Sequence, residues 1–165
     1  MKKNITHLIV ITILSGFLLA CSTTKQSDSD QQEVMAVLTN FVQAFENGDL
    51  ATMEASFAED ATDFPRAIMS NDLNSQILMS DYMRVRGIDP QMKQLVSMWQ
   101  TSDEQPPFIT LEPLNLEIKM FGDAALVTFH LIDGNALSRR SFVLAKRAGA
   151  WKIVHLHASN VVSSE

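Results

Sequence analysis

An α+β domain is what this sequence predicts, with helices in the first half and long antiparallel strands in the second. Three observations predict it. Apolar residues recur every three or four positions between 34 and 57, strand-like runs occupy 114 to 162, and glycine-containing pairs interrupt those runs at hairpin spacing. At 165 residues the chain matches a single domain, and a hydrophobic fraction of 46% suffices for one core.

Each element follows from local spacing. Val34, Val37, Leu38, Phe41, Val42 and Phe45 form one helical stripe, which Asn47-Gly48 ends. Asp49 then caps a second helix with Leu50, Met53 and Phe57 on one side, so the two helices form a hairpin. A short β-like piece, Ala61 to Phe64, stops at Pro65, and the Met-rich stretch to Met83 reads as helical. Asp89-Pro90 opens a helix over 90–100 whose apolar face is Met92, Leu95 and Trp99, and Thr101 to Pro107 is a loop. Leu114, Leu116, Ile118 and Met120 alternate with Asn115, Glu117 and Lys119; Gly122-Asp123 turns the chain into Ala124–Ile132. Asp133-Gly134-Asn135 turns it again, and Ser138–Arg147 and Trp151–Val162 pair around Ala148-Gly149. In the last strand, simple alternation puts Trp151, Ile153, His155, His157 and Ser159 on one face and Lys152, Val154, Leu156 and Ala158 on the other. Both faces are partly apolar, which predicts helices on one side and a second copy of the chain, as in an isologous homodimer, on the other.

Charge and cysteine content exclude two classes. Thirteen basic residues against 19 acidic give a formal charge of −6, which disfavours nucleic acid as a partner. A single cysteine excludes a disulfide framework within the chain. The first twenty residues have their own logic: Lys2 and Lys3 precede an apolar run, Leu8 to Leu19, and Ala20 stands before Cys21. This pattern is a secretory signal peptide. Leu18-Leu19-Ala20-Cys21 resembles the lipobox of bacterial lipoproteins, which implies cleavage before Cys21, diacylglyceryl and palmitate groups on it, and membrane attachment through that lipid. Ser22 beside the modified cysteine implies sorting to the outer membrane, on its periplasmic face. Removal of residues 1–20 takes away two lysines and no acid, leaving 11 basic against 19 acidic residues, net −8. Residues 21–31 contain no apolar side chain beyond Cys21 and read as the lipidated cysteine and a flexible tether, so the folded domain spans 32–162.

Arg139-Arg140-Ser141-Phe142-Val143-Leu144, the Gly149 turn and Trp151-Lys152-Ile153-Val154-His155-Leu156-His157-Ala158-Ser159, with Phe45-Glu46-Asn47-Gly48-Asp49, resemble the nuclear transport factor 2-like superfamily. The resemblance is to its SnoaL-like branch and to relatives near the association domain of calcium/calmodulin-dependent kinase II. It implies a cone, a curved antiparallel sheet around N-terminal helices, with an internal pocket and usually a dimer; Trp151, His155, His157 and Ser159 carry its signature. In the kinase relatives arginines line that pocket, and His130, Phe142 and Ala158 stand at the matching positions here. The resemblance thus implies a ligand pocket made by His130, Arg140, Phe142, Tyr82 and Trp99, with His130 and Arg140 as donors to an anionic group.

No catalytic constellation stands out. Asp63, just before Phe64-Pro65, and Tyr82, the single tyrosine, are weak candidates for a carboxylate base and its donor; as structural groups Asp63 caps a turn and Tyr82 packs at a wall. His155 and His157 share a strand face, yet no third ligand stands in register, so no metal and no cofactor is expected. Met69, Met79 and Met83 suit an adaptable apolar wall. Three readings follow: a non-catalytic module binding a small apolar or weakly anionic molecule, a proton-transfer enzyme of isomerase or cyclase type using Asp63 or His130, and a dimeric scaffold without ligand.

Overall fold

A computed structural model of the chain describes residues 27–64, 87–88, 90–133 and 136–161. The chain is helical by residue 27 and remains so to residue 46 (α1). Val34, Leu38, Phe41 and Ala44 are its buried positions, with Val37, Val42 and Phe45 half-buried beside them, so the expected stripe faces the core. Residues 27–31, expected in the tether, instead belong to α1, and Asp30, one turn before Val34, is buried. Its carboxylate lies 2.5 Å from Lys146 Nζ, which also sits 5.4 Å from the centroid of the Trp151 ring. Local composition missed this because the partner that permits burial comes from a strand 116 residues away.

α1 ends as its sequence dictates. Gly48, at φ +68°, donates to Phe45 O at 3.1 Å while Asp49 N donates to Ala44 O at 2.8 Å, a pair of bonds that closes a helix through a left-handed residue. A Cβ on Gly48 would stand 3.0 Å from the Phe108 ring, a second reason for glycine there. Asp49 accepts from Thr52 N (3.1 Å) and the Thr52 hydroxyl (2.5 Å) and starts α2, Leu50–Ser56. The same bonds hold the Asp49 carboxyl below the ordinary carboxylate value.

The strands are β1 (Phe57–Phe64), β2 (Leu114–Phe121), β3 (Ala124–Asp133), β4 (Ala136–Arg147) and β5 (Ala150–Val161), with α3 (Pro90–Gln100) between β1 and β2. They form one curved sheet in the order β1-β5-β4-β3-β2. The α+β class and the N-terminal helices are as expected, but the sheet is mixed, because β1 runs parallel to β5. Hairpins force β2 to β5 into an antiparallel meander; β1 precedes a long connection, so no turn constrains its direction. β1 also extends to Phe57, four residues earlier than the short piece expected. The Met-rich stretch, Tyr82, Asp89 and the Gly134-Asn135 turn lie outside the described residues.

One irregularity decides which side chains look inward. Along β4 and β5, Leu144 opposes Ile153 but Val143 opposes His155, so Val154 is an extra residue in β5. A bulge of one residue inverts every side chain beyond it. Trp151, Ile153, Leu156 and Ala158 therefore share the helix-covered face, the first three buried, whereas Lys152, His155, His157 and Ser159 share the opposite, open face. This corrects the expected split of β5, and it removes the argument that a strand apolar on both sides needs a second copy to cover it. Its apolar residues change parity because the backbone does.

The core lies between α1 and the inner face, and aromatic rings dominate it. Phe142 is 5.6 Å from both Phe41 and Phe129, edge-on to the first and stacked on the second, and Phe41 meets Phe57 at 5.6 Å. A separate stack, Phe45 on Trp99 (5.2 Å) and Trp99 on Phe108 (5.5 Å), joins α1, α3 and the following loop. Glu46 anchors that loop, its carbonyl accepting from Phe108 N at 2.8 Å and its Oε1 from Leu111 N at 2.6 Å.

Two measurements check this packing. Phe142→Ala empties the centre of the aromatic group and is expected to lower unfolding stability by about 3–5 kcal/mol in a denaturant titration. The hydrogen bond to Asp30 raises Lys146 above its ordinary 10.5. A raised amine stabilises the fold fully below its unfolded value and loses that contribution as pH rises through the folded one. The thermal midpoint of the parent is thus expected to exceed that of Lys146→Met at neutral pH and to converge on it above about pH 10.5.

Candidate functional site

The inner face of the sheet is apolar over most of its length and becomes polar toward the end where β3 passes into β4. Pairing fixes the rows. Asp63 of β1 opposes Leu156, which opposes Phe142, which opposes Val127. In the next row Ala158 opposes Arg140 and Arg140 opposes Phe129; beyond it Ser138 opposes Leu131. Since partners in a ladder share a face, Asp63, Arg140 and Ser138 all belong with the core residues Phe129, Phe142 and Leu156.

Asp63 is 1% exposed and Ser138 fully buried. Arg140 Nη1 donates to Ser138 Oγ and, at 3.1 Å, to the carbonyl of Arg139, while Ser138 Oγ donates to Ser159 O at 3.4 Å. The serine therefore fixes one arm of the guanidinium against the sheet. Two strand spacings and one two-residue step separate the Asp63 and Arg140 backbones, about 12 Å. Chemically the group offers a planar cation for an anionic or carbonyl oxygen, a carboxyl that can accept or return a proton, and aromatic walls for an apolar body.

Not every residue singled out in the sequence meets here. Arg140 and Phe142 do, and so does Asp63, which is a buried inward group and not a surface turn residue. His130 does not. On β3 the inward set is Ala125, Val127, Phe129 and Leu131, all buried, so His130 projects with Thr128 to the open face, and its Nδ1 is buried there without a hydrogen bond among the described residues. The expected pocket position of His130 is thus taken by Phe129; the frame was off by one, as the polar pair Thr128 and His130 on the outward parity could have signalled. Trp99 packs between Phe45 and Phe108 in the α3 stack. Tyr82 and Cys21 lie outside the described residues.

The signature residues divide as well. Trp151 faces the core, whereas His155 and His157 face outward, His155 Nδ1 lying 2.8 Å from Thr62 Oγ1 on β1. Among the described residues no three His, Cys, Asp or Glu side chains come together as a metal site. Ser138, which positions Arg140, was missed in the sequence although it shares the parity of Arg140 and Phe142; a lone serine carries no signal until its strand face is known.

Known proteins place this architecture. A search of curated proteins finds no match. Among solved structures, an NTF2-like protein of unknown function from Pseudomonas putida superposes with a TM-score of 0.58 at 16% identity, covering 84% of this chain and 91% of that one. A proposed dehydratase of the NTF2-like family from Streptomyces avermitilis gives 0.58 at 18% identity, covering 83% and 99%. The association domain of C. elegans CaMKII gives 0.55 at 19% identity, covering 80% and 96%. At such identities the likeness is one of fold. The model of the SnoaL-like domain matches residues 61–163, more than half of the sequence and the part that carries Asp63, Ser138 and Arg140; the chain belongs to the SnoaL-like domain family.

Proposed function

We propose that this protein is a lipid-anchored binding module that holds a small apolar or weakly anionic molecule against the inner face of its sheet, without chemical turnover. The observation that carries this reading is the inward Arg140, pinned by buried Ser138 beside Phe129 and Phe142. A guanidinium on the apolar side of a sheet costs stability relative to an aliphatic side chain. Its retention next to aromatic walls is the arrangement a ligand with an apolar body and one anionic end would use.

Attachment rests on the leader: Lys2 and Lys3, the apolar run and Leu18-Leu19-Ala20-Cys21 support lipidation of Cys21 and residence on the periplasmic face of the outer membrane. Self-association remains part of the proposal on a different observation from the one the sequence offered. Leu114, Ile132 and Leu137 are exposed together at one end of the open face, a patch suited to a second copy, and one structural neighbour is itself an association domain.

A second reading has one observation in its favour. Asp63, buried on the same face, could serve as a proton-transfer base with Arg140 stabilising the developing anion, and one structural neighbour is a proposed dehydratase. His130, on the other face, is removed from that scheme.

Native mass spectrometry of the full chain extracted from host membranes tests the proposal. The expected species lacks residues 1–20, carries acyl mass at Cys21 and releases a small molecule on denaturation, with occupancy falling about tenfold or more in Arg140→Met. An unmodified Cys21 would defeat the anchor. Equal occupancy in parent and variant, or none in either, would defeat the binding site.

A further inference from the structure

The end of the domain where α1 begins has a composition of its own. Asp30 on α1 pairs with Lys146 near the end of β4, so the start of α1 lies at the end of the sheet where the β2–β3 and β4–β5 hairpins turn. The two turns are joined, Lys146 N donating to Asp123 O at 2.9 Å. Only five residues stand between Cys21 and Ser27, six Cα steps with a reach of about 20 Å even when fully extended.

These tips expose Phe121, Gly122 and Asp123 on one hairpin and Arg147, Ala148, Gly149 and Ala150 on the other. Phe121 is 64% exposed at the last position of β2. Lys119, two residues back on the same face, is exposed and pairs with Glu117 at 3.4 Å; Arg147 lies 3.8 Å from Asp60. Lys146 faces Asp30 and also lies within electrostatic reach of Glu33 and Asp123, so this end carries more acid than base. At its tips it presents one large apolar ring flanked by two long cationic side chains, Lys119 and Arg147, whose stems can lie along an apolar surface while their charged heads stay at the polar boundary.

We propose that the paired hairpin tips are a second membrane contact: Phe121 enters the headgroup region of the bilayer that holds Cys21, with Lys119 and Arg147 beside it at the phosphates. This rests on the anchored reading above, since the short link to Cys21 is what selects a lipid surface as the occupant. The contact fixes orientation. The sheet then stands on its tips, and the end bearing Ser138, Arg140 and the exposed Ile132, some 27 Å away along β3, points away from the membrane. A ligand would reach Arg140 from the aqueous side.

The test uses single tryptophan additions in the full chain. Phe121→Trp and Ile132→Trp, both at exposed positions, are isolated from host membranes and reconstituted in vesicles of phosphatidylethanolamine and phosphatidylglycerol with or without brominated acyl chains. After subtraction of the parent's emission, brominated lipid is expected to quench the Trp at 121 about twofold or more and to leave that at 132 unchanged. Equal quenching at both positions, or none at 121, overturns the proposal. Intact mass reports separately whether Cys21 is acylated. If it is not, the same chains are coupled through Cys21, their only thiol, to maleimide headgroups, and the same contrast between 121 and 132 is required. Unchanged thermal midpoints in both variants show that the fold is intact.

Discussion

The extra residue at Val154 sets the register on which the rest of the inner face depends. By opposing the Val143–Leu144 step of β4 with three residues of β5, it brings Leu156 and Ala158 onto the side already occupied by Trp151 and Ile153. Without that shift His155 and His157 would be driven toward the helices, and the aromatic contact of α1 with the sheet through Phe41 and Phe142 would face imidazoles instead of Leu156. The bulge thus keeps two polar rings out of the core while leaving β4, its neighbour, to deliver Ser138 and Arg140 inward on unbroken alternation.

Polar groups on this inner face are not scattered. Asp30 and Lys146 occupy one end and Ser138 with Arg140 the other, and between them Asp63 stands in the row of Phe142 and Leu156, beside a band of Phe129, Leu144 and Ile153. The first pair is satisfied internally and ties the beginning of α1 to the sheet, a structural task. The second places a guanidinium where an aliphatic side chain would pack at lower desolvation cost, and the proposed binding site rests on it.

How much of this the sequence revealed depends on the range of the physics. The α1 stripe, the Gly48 stop, the Asp49 cap and the turns at Gly122-Asp123 and Ala148-Gly149 are written in contiguous residues and formed as read. Phe57, expected on the second helix, instead opens β1, and α3 buries Val96 while Leu95 is exposed. The parallel pairing of β1 with β5 is not written locally, because it is decided by a connection and not by a turn. The bulge is not either: Trp-Lys-Ile-Val-His-Leu-His alternates just as well without one, and only pairing against β4 reveals the slip. The same limit produced the His130 error, since choosing between Phe129 and His130 as the inward residue requires knowing which face the helices cover. Asp30 was misassigned for a related reason, its buried state depending on Lys146 far along the chain. Asp63 was legible as a candidate by residue type and Arg140 and Phe142 through the family resemblance, while their shared face was visible only in the ladder.

Whether a ligand meets the inner face at Ser138 and Arg140 can be seen in a crystal structure of the protein purified with its bound molecule. Density is expected between α1 and the sheet, within hydrogen-bond distance of the Arg140 guanidinium and in contact with Phe129. Density on the open face against His155 and His157, or an Arg140 side chain turned away from the inner face, would contradict the proposed binding.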